Sequence, residues 1–192
     1  SEMCIRDRTN TNDILYRALS NGDYSTGTVT PTAAPSMDIQ VSSNFERLLF
    51  DVGGRDGIAL AEQMRGFEAS KAMQLTNAQR DGAAALFTSM RADEDDMARA
   101  MRWACEDCAE IVDPHTAIGL HAARAVELPH DVPVVTLATA HPAKFPDAVE
   151  RSTGTRPSLP ARVGDLFARE EAYTELPGTY EAVRDHILGH AA

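Results

Sequence analysis

The sequence predicts an α/β fold in which parallel strands are flanked by helices. Three observations carry that expectation. Val134-Val135-Thr136-Leu137-Ala138 is a short apolar, β-branched run set off upstream by Pro129 and Pro133, the pattern of a buried strand in such a sheet. From residue 93 onward the periodicity reads helix, strand, helix, strand, helix, the order that gives parallel pairing through right-handed crossovers. The hydrophobic fraction of the 192 residues is 43%, enough for a packed core and contrary to global disorder.

Taken in order, the elements have local causes. Ser1–Arg8 shows no element signature and resembles the adapter-derived leaders of environmental reading frames. It is set aside as a scar would be, which makes the chain the carboxyl-terminal part of a longer protein in this reading. Asn12 or Asp13 can cap a helix through Leu19, which Asn21-Gly22 ends. Residues 23–36 are rich in Thr, Ser, Gly and Pro and read as a long loop of the functional or mobile kind. Ser43 or Asn44 opens a helix with Phe45, Leu48 and Leu49 on one face, broken at Gly53-Gly54. Ile58, Leu60, Ala61, Met64 and Phe67 mark a helix over 55–69, and another covers 77–87. Asp93–Asp96 crowd the first turn of a helix over 93–108, where the helix dipole favours acidic groups. Its apolar positions are Met97, Met101, Ala104 and Cys108. Glu110-Ile111-Val112 reads as a short strand, and Pro114 starts a helix over 115–126. After the strand 133–138 come helices over 146–152, 160–170 and 179–189.

These elements suggest four parts. They are the leader 1–8, an α/β portion made of 9–22 and 92–158, a helical insertion over 23–91, and carboxyl-terminal helices over 159–192. The net charge of −11 disfavours nucleic acid and anionic membrane surfaces as partners, because both require basic footprints. No apolar run reaches the ~20 residues of a membrane-spanning helix. Three cysteines, an odd number, suit a reduced cytoplasmic setting better than a disulfide framework. The sequence carries no signature of oligomeric state.

Candidate functional residues cluster where strands end, because ligands of open α/β sheets sit beyond the carboxyl ends of strands. Thr139 stands at such an end, and its neutral hydroxyl can meet an aromatic ring nitrogen without forcing protonation. His141 and Lys144 lie on the loop that follows. Lys144 and Lys71 are the only lysines, and of the two Lys144 is better placed to bind an anion. Asp113 can cap the next helix and also line a pocket. Asn10, Asn12 and Asp13 are three polar residues within four, more than capping needs. Arg47 is a surface charge or a phosphate clamp. Asp38 suggests no mechanism by its spacing. His115 and His121 are six apart and face differently on a helix, which argues against a shared metal. Cys105 and Cys108 form one Cys-x-x-Cys inside a helix, a metal or redox signal only if further ligands join it; otherwise Cys108 packs and Cys105 is exposed.

Four stretches then resemble a family. They are Thr9-Asn10-Thr11-Asn12-Asp13, the run Pro35-Ser36-Met37-Asp38-Ile39-Gln40-Val41-Ser42-Ser43-Asn44-Phe45-Glu46-Arg47-Leu48-Leu49, Asp113-Pro114-His115-Thr116-Ala117, and Ala138-Thr139-Ala140-His141-Pro142-Ala143-Lys144-Phe145. In this order they are similar to the carboxyl-terminal half of bacterial and fungal threonine synthases, and the similarity spans residues 9–192. That family belongs to the fold-type II pyridoxal-phosphate enzymes, with the tryptophan synthase β-subunit. The resemblance implies the cofactor pyridoxal 5'-phosphate and conversion of O-phospho-L-homoserine and water to L-threonine and phosphate. It implies that Thr139 bonds the pyridine nitrogen and that Asp113 lies beside the cofactor ring. It implies that Asn10, Asn12 and Asp13 border the cofactor phosphate or the substrate. The family's Schiff-base lysine and phosphate-binding loop lie in its amino-terminal half, so this chain alone is expected to be inactive, with no catalytic lysine of its own. The alternatives are a fragment of another pyridoxal-phosphate lyase, or a non-enzymatic module holding a metal at Cys105 and Cys108.

Overall fold

The computed structural model describes residues 5–127, 129 and 131–190. They fall into two units, one ending at Pro157 and one starting at Ser158.

The first unit is α/β, with one parallel strand pair among the described residues. Strand β1 (Ile5–Thr9) runs beside β2 (Phe87–Arg91), with Ile5 opposite Phe87 and Thr9 opposite Arg91. Between them come α1 (Ile14–Asn21), α2 (Phe45–Val52), α3 (Gly57–Ser70) and α4 (Asn77–Ala84). Then follow α5 (Glu94–Cys108), α6 (Pro114–Arg124) and α7 (Pro146–Thr153). Both strands run out at the same side, because they are parallel. There Ala92 N–H donates to the Thr9 carbonyl at 3.0 Å, and the chain enters Asn10 from one strand and Asp93 from the other.

The helix starts follow their caps. Asp93 accepts from Asp96 N–H and the Asp96 side chain returns to Asp93 N–H, a capping box at the head of α5. Thr76 and Gln79 build the same box on α4. Asp56 caps α3, and Gly22, at φ +85°, closes α1 in the left-handed conformation that favours glycine.

Two apolar clusters hold the unit together. Ile14, Ala18, Tyr24, Phe45, Leu49, Phe67, Met73 and Leu75 join α1, α2 and α3. The Tyr24 ring lies 4.9 Å from both Phe45 and Phe67, and its hydroxyl accepts from Ser42 N–H at 2.8 Å. The second cluster gathers Ala34, Ala92, Met97, Ala100, Met101, Ala117, Ile118 and Val149, where α5 packs on α6 and α7.

The α/β class stands, but the strands are not the ones the sequence suggests. Residues 5–8, read as carrying no element, form most of β1; their Arg-Asp-Arg alternation hides a strand whose backbone is satisfied by β2. Phe87, assigned to the end of a helix, begins β2. Glu110–Val112 is not a strand: α5 ends at Ala109 in the left-handed conformation, and Ile111 and Val112 pack directly onto the second cluster. Residues 133–139 also form no ladder. A strand is defined by a neighbour, and none of the described residues pairs here, so Val135 is 83% and Leu137 76% exposed. On α3, Ile58 is exposed, whereas Phe67 is buried and Leu60 and Met64 are partly so. The loop 23–36 is tethered along its length: Tyr24 N–H donates to Met73, Thr26 N–H to Lys71, and Ala33 N–H to Glu94.

The second unit has α8 (Tyr180–His190) and two single-turn 3₁₀ helices, Ala161–Val163 and Leu166–Ala168. The helix expected over 160–170 is reduced to those turns, because Gly164 interrupts them and no apolar face forms across the pair.

Met101 is fully buried at the centre of the second cluster. Met101→Ala is expected to lower unfolding stability by about 2–5 kcal/mol, read from urea midpoints at an unchanged slope.

Candidate active site

The four motif stretches are far apart in sequence and meet in space through two polar networks. The first forms where β1 ends. Asn10 and Asn12 are buried, each 2% exposed, so their amide groups need partners within the protein. Asp38 supplies one acceptor to each. Its Oδ1 accepts from Asn10 Nδ2 at 2.7 Å, Asn12 Nδ2 at 3.0 Å and Thr32 Oγ1 at 2.7 Å, and its Oδ2 accepts from Thr32 N–H at 2.8 Å. Asn10 Oδ1 accepts from Asn12 N–H at 2.8 Å. Asn12 also clasps Thr30 both ways, donating to its carbonyl and accepting from its N–H, each at 2.8 Å. The expected capping of α1 does not occur: the side chain of Asp13 makes no cap bond, and Asn12 is committed to Thr30 and Asp38.

Asp13 turns the other way. It accepts from Arg17 Nε at 3.0 Å and Arg91 Nη1 at 3.2 Å, tying α1 to the end of β2. Arg17 continues to Asp23 and to the Ser25 carbonyl. The Asp23 carboxyl is held below its ordinary range, first by its hydrogen bond from Ser25 and, against some burial, by Arg17.

The second network surrounds Asp113, a fully buried carboxylate at the head of α6. Its Oδ1 accepts from the His115 N–H at 2.9 Å and from Thr116 N–H at 3.4 Å, the expected cap. The same oxygen lies 2.9 Å from His115 Nδ1. Its Oδ2 accepts from the Thr116 hydroxyl. Thr116 Oγ1 in turn accepts from Thr139 N–H at 3.0 Å and lies 3.5 Å from Thr139 Oγ1. The far nitrogen of His115, Nε2, accepts from Ser36 N–H at 3.1 Å. The Phe145 ring sits 4.7 Å from the imidazole, tilted by 54°.

Thr139 is therefore fixed through its backbone while its side chain remains exposed. Gly119 on α6 allows the preceding segment to lie close: a Cβ there would come within 3.0 Å of Thr136 Cγ2. The other predicted residues lie outside the two networks. His141 Nδ1 accepts from Ala143 N–H at 3.2 Å and caps the 3₁₀ turn Pro142–Lys144. Lys144 is exposed, its ammonium 5.7 Å from the Phe145 ring centre. Arg47 is exposed on α2, beside a groove lined by Phe50, Asp51 and Leu60. Lys71 is exposed at the end of α3.

Three residues central to these networks escaped the sequence reading: Asp38, His115 and Thr116. Thr116 carried a usable signal, because a hydroxyl three residues after an Asp-Pro helix start can return to the capping carboxylate. For the cysteines the expected exposures are reversed. Cys108, at the last residue of α5, is exposed, and Cys105 is half-buried, because the helix has run past the core by its final turn. No group of three or more His, Cys, Asp or Glu side chains among the described residues is arranged to hold a metal ion. No helix among them is long and apolar enough to cross a membrane.

The fold is that of the fold-type II pyridoxal-phosphate enzymes. A family profile described as "Threonine synthase, C-terminal" matches residues 116–187. A threonine synthase of Pseudomonas aeruginosa is 45% identical over 183 residues, which cover 95% of this chain and 39% of that protein. One of Corynebacterium glutamicum is 33% identical, covering 94% and 39%. A crystal structure of pyridoxal-phosphate-bound threonine synthase from Brucella melitensis superposes with a TM-score of 0.87 at 39% identity, covering 98% of this chain and 40% of that one. The yeast enzyme gives 0.83 at 29% identity, covering 96% and 41%. The chain is similar to the carboxyl-terminal part of threonine synthases. It spans about two fifths of the length of these relatives.

Asp38→Ala would take one acceptor from each of the buried amides of Asn10 and Asn12 and from Thr32. A loss of about 2–3 kcal/mol in unfolding stability is expected, since each buried donor that loses a partner costs on the order of 1–3 kcal/mol. Urea titration monitored by circular dichroism measures it, and an unchanged midpoint would show that the network does not hold the loop.

Proposed function

We propose that this chain forms the coenzyme-ring side and the mouth of a threonine synthase active site, acting in the conversion of O-phospho-L-homoserine and water to L-threonine and phosphate. The observation that supports it most is Thr139, an exposed residue whose N–H is fixed by Thr116 beside buried Asp113. A neutral hydroxyl suits an aromatic nitrogen, so the donor set fits pyridoxal phosphate at its ring end. When bound, that group supplies an electron sink for carbanionic chemistry at the substrate.

In this reading the chain's own residues bind and orient. Thr139 holds the ring nitrogen and Asp113 stands behind it. Asn10, Asn12 and Asp13 border the substrate at the end of β1. Lys144 and Arg47 are the exposed cations available to a phosphate, and His141 shapes the loop that carries Lys144. Neither Lys71 nor Lys144 touches the Asp113 network, so neither serves as the Schiff-base lysine, and the chain needs the family's amino-terminal half for turnover. Unpaired Cys105 and Cys108 suit a reducing compartment, and this reading assigns the protein to the cytoplasm.

Two experiments test this. Incubated with pyridoxal phosphate and then borohydride, the chain should show no one-to-one adduct at a single lysine by mass spectrometry; a stoichiometric adduct at Lys71 or Lys144 would contradict the assignment. Fused behind the amino-terminal part of the Pseudomonas aeruginosa relative, it should release phosphate from O-phospho-L-homoserine. In that fusion Thr139→Val should lower kcat about tenfold or more, the size of one lost polar contact at a reacting group. Turnover of O-phosphoserine without phosphohomoserine would assign it to another lyase.

A further inference from the structure

The capping role of Asp113 leaves two features unexplained. An N-cap needs only backbone N–H partners, yet Asp113 also engages the imidazole of His115 and the hydroxyl of Thr116. The imidazole, moreover, reaches a residue 79 positions away, on the turn at Pro35–Met37.

Proton positions follow from the donors. Ser36 N–H can only donate, so His115 Nε2 must be the lone-pair nitrogen. The ring proton of a neutral His115 is then on Nδ1, and it points at Asp113 Oδ1. The only proton of the Thr116 hydroxyl goes to Asp113 Oδ2. What Thr116 offers Thr139 is therefore lone pairs, which take the Thr139 N–H at 3.0 Å. Each bond in this row runs one way, and none can reverse without leaving a buried group unpaired. Phe145 closes the free face of the imidazole, so the ring cannot swing out.

We propose that His115, as its neutral Nδ1–H form, is a positioning residue that couples the seat of the Pro35–Met37 turn to Thr139 by way of Asp113 and Thr116. This rests on the reading of Thr139 as the ring-nitrogen residue. It assigns to His115 and Thr116 a role that touches neither coenzyme nor substrate. A change in the turn that withdraws the Ser36 N–H frees the imidazole, lets the Asp113 carboxylate rotate, and loosens the backbone of Thr139.

The test uses the 192-residue chain labelled with nitrogen-15 and needs no coenzyme. Long-range proton–nitrogen spectra should show His115 as the Nδ1–H tautomer, a signature that a merely packed ring would not be bound to give. Thr116→Val should speed amide exchange at Thr139 about tenfold or more, the equivalent of one hydrogen bond, and Thr116→Ser should restore it. Ser36→Pro removes the donor and, because a proline there disfavours the αR conformation of Pro35, also opens the turn, withdrawing it from His115 altogether. It should raise exchange at Thr139 although it lies across the network. His115→Phe, which keeps the contact with Phe145, should raise exchange at both Ser36 and Thr139; Ser36→Pro keeps the question answerable if that variant unfolds. An Nε2–H tautomer, or Thr139 exchange unmoved by Ser36→Pro, overturns the coupling. The underlying reading fails separately: in the fusion protein, pyridoxal phosphate that leaves the Thr139 amide unshifted would remove the ring-nitrogen assignment while the row of bonds stood.

Discussion

A buried carboxylate sets the terms for this molecule. Asp113 has no contact with solvent, and a charge taken out of water is tolerated only when donors surround it. The chain provides four, two from the backbone and two from side chains, all within three residues of Asp113. Two of these donors have second partners elsewhere, His115 on the Pro35–Met37 turn and Thr116 at Thr139. Satisfying one ion therefore fixes where two distant segments lie against α6. Asp38 does the same work at the end of β1 with a half-exposed carboxylate, gathering Asn10, Asn12 and Thr32. The site is assembled by acceptors that need donors rather than by apolar packing, while the two apolar clusters supply the surrounding rigidity.

Apart from the one expected over 160–170, the helices were legible because their causes are local. Asp93 with Asp96, Thr76 with Gln79, and Pro114 after Asp113 announce helix starts within four residues, and apolar spacing does the rest. The strands were not legible, because a strand is a relation between segments. The sequence from Ile5 to Thr9 alternates charge and shows no apolar face, yet it pairs with Phe87–Arg91. Val134–Leu137 has strand composition and no partner among the described residues. Composition reports what a segment can do, and pairing decides what it does.

The site shows the same division. The nearness of Thr139 to Asp113 was accessible from the rule that function gathers at strand ends, even though the segment leading to Thr139 forms no ladder. The sequence assigns His115 no role beyond its place in a family-like stretch, and its partners lie 79 positions upstream and two positions away. Asp38 lies in one of the four family-like stretches, but its spacing does not say what it binds. Its importance comes from Asn10 and Asn12 being buried, which no single-sequence pattern states. Residues that act through contacts between segments are those a linear reading loses first.

The clasp between Asn12 and Thr30, with Asp38 behind it, closes a ring of chain whose outermost stretch, Gly27 to Thr30, is exposed. Closing a ring grows costlier only with the logarithm of its length, by about 0.6 kcal/mol for each doubling. The fastening points, not the span between them, therefore hold the loop in place. Gln40 grips Gly27 and Thr28, so extra residues spliced at exposed Val29, between that grip and Thr30, would lengthen the bow without untying it, which makes this point the natural spot for relatives to differ in size while keeping the same grip on the strand end.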